Sequence, residues 1–193
     1  FSAGDVQFVT FPSPRIVSAS PFSGDKDGGT LVTLAGSQFP NARLSCQFGT
    51  AGTTLATFIS ASELKCVAPP CVNCEAGLTV IVKVTMNGQI FSDSFVTYTY
   101  VGTPTVSSIS PAHGSVGGGT EITLVGYNFV DSASLSCMFG QSNKSTVVSA
   151  RWISSERIQC KTPVSIVIGS VHLRASNNDV EYSDEALVFT CVV

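Results

Sequence analysis

Seven cysteines are the residues of this chain best suited to do chemistry, and three of them stand together as Cys66-x4-Cys71-x2-Cys74. A tetrahedral zinc site needs four soft ligands, and this run supplies three. A thiol–disulfide exchange role places Cys-x-x-Cys at the end of a βα unit, and no helical period here persists beyond two turns. A local disulfide between Cys71 and Cys74 requires nothing further. The two histidines lack acid–base companions: His113 follows Ser110-Pro111 in a turn, and His172 lies in an alternating stretch from Ser165 to Ala175. No Gly-x-Ser-x-Gly elbow, His-Glu-x-x-His or phosphate loop is present. Asp25-Lys26-Asp27-Gly28 begins like a calcium loop, but its twelfth position is Gly36, where a bidentate glutamate is needed. It reads instead as a polar turn. The expectation is a chain with no catalytic residue, no cofactor and no metal. Trp152, the single tryptophan, ends a strand. Such a ring can carry a sugar, but its approximate equivalent, Ile59, is not aromatic, and packing in or beside a core is the favoured reading.

The composition limits what elements could hold these residues. Of 193 residues 44% are apolar and 12% charged, with a net charge of −3. That excludes a disordered, highly charged chain and offers no basic field for nucleic acid. No apolar run approaches the length of a membrane-spanning helix. The chain opens at Phe1 with no charged region leading into an apolar one, which suggests a mature or excised piece. Val, Ile and Thr account for 52 residues, a usage suited to strands. Seven cysteines among strands point to an oxidising compartment.

An internal repeat organises the chain. Pro14, Ser20-Pro21, Gly28-Gly29-Thr30, Thr33-Leu34, Gly36 and Phe39 recur 90 positions later as Pro104, Ser110-Pro111, Gly118-Gly119-Thr120, Thr123-Leu124, Gly126 and Phe129. Cys46-Gln47-Phe48-Gly49 returns as Cys137-Met138-Phe139-Gly140, Cys66 and Pro69 return as Cys160 and Pro163, and Phe91-Ser92-Asp93 returns as Tyr182-Ser183-Asp184. Alternation of period two with frequent turns predicts an all-β sandwich in each unit. In the first unit it predicts seven strands, near 15–20, 30–35, 43–48, 54–59, 63–67, 78–86 and 90–100. Asn87-Gly88 is expected to join the last two as a type I′ hairpin, with Asn177-Asn178 in the equivalent place. Residues 1–13, spaced like 91–103, read as the closing strand of a preceding repeat, and units 14–103 and 104–193 follow.

Ser-Pro, then Gly-Gly-Thr, Leu-x-Gly-x-x-x-Phe, Cys-x-Phe-Gly and Cys-x-x-Pro, twice in order, resemble tandem IPT/TIG domains. The resemblance implies immunoglobulin-like sandwiches, end to end, of the kind found in plexin-type receptor ectodomains, large surface proteins, accessory domains of some glucanotransferases and some transcription factors. Repeat-equivalent cysteines suggest the pairs Cys46 with Cys66 and Cys137 with Cys160, which a zinc site at Cys66 would break. Cys71 and Cys74 have no counterparts. Cys191 aligns with Tyr100 and is left free or paired to a partner outside the segment. Asn143-Lys144-Ser145 is a glycosylation sequon, so Asn143 is the expected N-glycan site. The expectation is a non-catalytic structural or adhesive module at a cell surface or in an extracellular filament, within a longer repeat array. Its partner would be protein, through neighbouring repeats or another surface protein, with no nucleic acid and no membrane insertion. The alternative is an accessory carbohydrate-binding or spacer module of an extracellular enzyme.

Overall fold

The computed structural model describes residues 12–141, 144–164 and 168–193. Residues 1–11 and Asn143 lie outside these, and with them the expected closing strand and the glycosylation site. The first unit contains β1 (Arg15–Ser20), β2 (Ser23–Asp25), β3 (Leu31–Ser37), β4 (Ser45–Phe48), β5 (Gly52–Ser60), β6 (Glu63–Val67), β7 (Leu78–Thr85) and β8 (Val96–Val101). The second unit repeats the series as β9 (Thr105–Ser110), β10 (His113–Ser115), β11 (Glu121–Tyr127), β12 (Ser136–Gln141), β13 (Lys144–Ser154), β14 (Arg157–Lys161), β15 (Gly169–Ser176) and β16 (Leu187–Val192). No element is helical among the described residues.

The hydrogen-bonded order in the first unit is β1-β3-β6-β5-β4-β7-β8-β2, and the second follows the same plan. The strand β5 belongs to both layers: Gly52 to Leu55 pair with β4, and Ala56 to Ser60 pair with β6. In the second unit β13 does the same, pairing first with β12 and then with β14. Strict alternation aims one set of side chains between the layers. Val32 and Leu34 of β3 face Phe48 of β4 and Val82 and Val84 of β7, all fully buried, while Leu31 and Ile81 point outward. Phe48, Tyr98 and Tyr100 pack edge to face in the first core, and Phe139 and Phe189 in the second. Each unit closes its own core, with no shared members.

Gly28 and Gly118 show why the Gly-Gly-Thr motif recurs. Their φ angles are 82° and 74°, and a Cβ would lie 2.6 Å from the backbone at Pro70 and Pro163 respectively. Only glycine meets both demands.

Five expectations need correction. Each unit has eight strands because a short strand, β2 or β10, runs parallel to the last one. Three residues carry too little alternation to stand out in the sequence. The segment 90–95 is not strand, apart from an isolated bridge between Phe91 and Thr85. Asn87-Gly88 is not a two-residue type I′ turn: Gly88 alone has positive φ, while Asn87 Oδ1 accepts the N–H groups of Gln89 and Ile90, and Thr85 Oγ1 accepts those of Asn87 and Gly88. The side chains thus satisfy a wider turn. In the second unit Asn178 Oδ1 accepts from Val180 and Glu181, so Asn178-Asp179, and not Asn177-Asn178, is the counterpart. Trp152 is opposite Ile158 as Phe58 is opposite Leu64, each just before a bulge. Its equivalent is therefore aromatic Phe58, and the Ile59 alignment was one residue out of register.

Candidate functional site at the joint between the sandwiches

The cysteines occupy the positions that β4, β6, β12 and β14 give them. Cys46 on β4 and Cys66 on β6 are joined across the core, with Cα atoms 6.3 Å apart, and Cys137 and Cys160 are joined likewise at 6.4 Å. Cys71 and Cys74 close a short loop that has no counterpart in the second unit. Cys191 is free, only 1% exposed, and takes the core position that Tyr100 holds in the first unit. Burial pushes its thiol pKa up. The thiol is enclosed in the core of its own sandwich. His113 and His172 are both exposed and lie on separate strands. No group of three or more His, Cys, Asp or Glu is gathered around a common point among the described residues.

The structure does gather polar groups between the sandwiches. Gly102, Thr103 and Pro104 alone separate β8 from β9, and the turn 177–181 of the second unit reaches back to β2 of the first. Asn177 and Asn178 are 2% and 5% exposed. Asn177 Nδ2 donates to the carbonyls of Asn128 at 2.7 Å and Gly102 at 3.4 Å, and its Oδ1 accepts from Val130 N–H at 3.0 Å. Asn178 Nδ2 donates to Ser23 O and to Glu181 Oε2, each at 3.0 Å. Glu181 Oε1 accepts from Thr30 Oγ1 at 2.6 Å, and Oε2 from Asp25 N–H at 3.2 Å. Thr103 Oγ1 donates to Asp25 Oδ2, and Asn128 Nδ2 donates to Thr103 O at 3.0 Å. A void of about 10 Å³ remains among Asp25, Thr103, Asn177 and Glu181, at the lower limit for one water.

Burial raises the Asp25 carboxyl above its ordinary 3.8, and the Asp27 and Glu181 charges add to this. The Asp27 backbone N–H and Lys26 oppose it. Tyr98, whose hydroxyl crowds Gly24 together with Thr30, is also pushed upward, first by burial and then by the Glu181 charge. Neither arrangement positions a nucleophile or a proton donor toward open space. What the joint can do is hold two bodies in one orientation.

Beside it lies a groove of about 420 Å³. Ala76 and Gly77, from the loop following Cys74, form one wall, and Tyr127, Asp131, Trp152 and Glu156 of the second unit form the other. Trp152 is 38% exposed and Tyr127 61% exposed. The indole Nε1 donates to Phe129 O at 3.2 Å, which fixes the ring against the end of the sandwich.

A family model described as IPT/TIG domain matches residues 14–100 and again 104–190. The chain belongs to the IPT/TIG domain family. Human plexin-A2 is 30% identical over 132 residues, which cover 63% of this chain and 6% of plexin-A2. Mouse fibrocystin-L is 33% identical over 120 residues, covering 62% and 3%. Human fibrocystin-L is 26% identical over 183 residues, covering 93% and 4%. The chain thus spans only a few per cent of the length of these curated relatives. A structure of the plexin A4 full extracellular region, domains 1 to 10, superposes on 100% of this chain and 17% of its own, with a TM-score of 0.56 at 19% identity. The last likeness establishes fold.

Within this IPT/TIG pair, sequence reasoning placed Asp25 in a polar turn and Asn177-Asn178 in a hairpin, and it missed both the joint they build and Glu181. A signal was present. The second IPT/TIG unit carries Asn177 and Glu181 where the first carries Met86 and Ile90, polar residues in place of apolar ones.

Proposed function

We propose that this IPT/TIG pair is a stiff, non-catalytic spacer segment of an extracellular or cell-surface protein, serving a structural or adhesive array whose partners are proteins. The observation that supports this reading is the joint: Asn177 ties the three-residue linker to the second unit, and Asn178 Nδ2 and the Glu181 carboxylate bond to the neighbouring sandwich. Buried polar groups left without partners cost about 1–3 kcal/mol each, so bending the joint is opposed at several points at once. The disulfides fit an oxidising compartment, and each interlayer bond should add roughly 3 kcal/mol to its own unit.

Small-angle X-ray scattering of the 193-residue chain tests the reading. A stiff pair gives one narrow distribution of distances between the two lobes. The Asn178→Ala, Glu181→Ala double variant should broaden it while each unit stays folded. A wild-type distribution as broad as that of the variant would overturn the spacer reading. Non-reducing peptide mapping tests the covalent part, with Cys46–Cys66, Cys71–Cys74 and Cys137–Cys160 as the expected links. Mass analysis of the secreted protein will show whether Asn143 carries a glycan.

A further inference from the structure

We propose that the groove beside the joint binds an arginine side chain presented by a protein partner. Its walls combine two aromatic rings, Tyr127 and Trp152, with two carboxylates, Asp131 and Glu156, and no Lys or Arg lines it. Two of its nitrogen donors are used within the protein, while the exposed Tyr127 and Ser155 hydroxyls, which can give or take a hydrogen bond, line it as well. Trp152 Nε1 is committed to Phe129 O, and Asn128 Nδ2 to Thr103 O. The acceptors are free, since neither the Asp131 nor the Glu156 carboxylate has a hydrogen-bond partner among the described residues. Two open carboxylates beside two exposed aromatic rings suit a cationic ligand that donates and stacks. Guanidinium is that ligand: it carries five N–H donors and no acceptor, pairs with carboxylates and stacks flat on aromatic rings. A sugar hydroxyl could bond here too, but it carries no charge to pair with Asp131 and Glu156.

The first unit supplies an internal contrast. At the same end of its sandwich the equivalents of Tyr127, Asp131, Trp152 and Glu156 are Ser37, Asn41, Phe58 and Ser62. The backbone there is alike: Phe39 N–H bonds to Ala61 O as Phe129 N–H bonds to Ser155 O. Charge and an exposed indole have been added to one copy of a common scaffold, and they lie where the loop after the Cys71–Cys74 pair overhangs that end. Specific decoration of a shared frame is what a recognition site requires and what a spacer does not.

Trp152 is the only tryptophan, so its emission reports directly on the groove. The 193-residue chain is titrated with the capped pentapeptide Gly-Gly-Arg-Gly-Gly, with its citrulline twin of nearly equal shape but no charge, and with cellohexaose. The arginine peptide should give a saturable change that weakens several-fold in 1 M salt, where the screening length is about 3 Å. Asp131→Asn, Glu156→Gln should weaken it by roughly tenfold or more, because charge-assisted hydrogen bonds are lost while side-chain size is kept. An unchanged circular dichroism spectrum of the double variant assigns the loss to the groove. No saturable response at millimolar peptide, an equal response to the citrulline twin, full affinity in the double variant, or saturation by cellohexaose that the arginine peptide cannot displace would each overturn the proposal. Because Ala76 and Gly77 of the first unit wall the groove against the second, the proposal rests on the spacer reading, and scattering separates the failures: no peptide response together with a narrow wild-type distribution overturns the groove alone.

Discussion

Residues 86–90 and 177–181 are the same turn built twice, and only one of them makes a joint. In both, an Asn side chain accepts two following N–H groups and a hydroxyl from the end of the preceding strand accepts the Asn N–H. The outward residues differ. Met86 and Ile90 are 37% and 72% exposed, whereas Asn177 is buried and Glu181 is bonded to the neighbouring sandwich. Local side-chain to backbone bonding sets the shape of the turn, and the groups left over from that shape, Asn178 Nδ2 and the Glu181 carboxylate among them, dock it. An interface can therefore be added to a repeat without disturbing its fold.

The largest effect is expected from the disulfides, because it tests whether the two units stand or fall separately. Cys46→Ala, Cys66→Ala should cost its unit about 2–5 kcal/mol. Calorimetry should then show a transition that moves down, while Trp152 emission, which reports the second unit, moves less. Equal movement of both signals would mean that the joint merges the pair into one cooperative body.

Next comes the contrast between the turns themselves. Asn177→Ala strands the Val130 N–H and removes two donations, and should cost about 1–3 kcal/mol in chemical denaturation. Met86→Ala at the equivalent position should stay within about 0.5 kcal/mol. Similar losses at the two sites would erase the distinction.

A smaller effect is expected from transplanting the first turn into the second. Glu181→Ile leaves Thr30 Oγ1 and the Asp25 N–H without their acceptor, and should increase independent tumbling of the units in amide relaxation at little cost to either core. Ile90→Glu should change neither.

The smallest effect is set by pH. Burial holds the Asp25 carboxyl above 3.8, so the folded chain binds that proton more tightly than the unfolded chain does. The contribution is fully present below 3.8 and is lost as pH rises through the raised value. Asp25→Asn should flatten that part of the plot of Tm against pH, and an unaltered slope would remove Asp25 from the account.

The sandwich class was readable in the sequence because alternation and Gly-Gly-Thr are local consequences of buried faces and positive φ, repeated twice. The β2 strand escaped because three residues hold no period. Trp152 was set against Ile59 because the loops before it differ in length between the units, and only pairing with Ile158 restores the register. The joint escaped for another reason. Asn178 and Glu181 reach Ser23 and Asp25 across about 150 residues of sequence, and each taken alone resembles an ordinary polar turn residue.

The position of β8 gives the pair a mechanical character. The linker leaves directly from its end at Val101, and β8 is flanked by β2 in parallel and β7 in antiparallel. A pull transmitted through Gly102 runs along the strand, while the hydrogen bonds to both neighbours lie across it. Such a load shears several bonds together instead of peeling them one after another. The same parallel clasp recurs between β10 and β16, so tension along the chain meets an equivalent fastening in each sandwich.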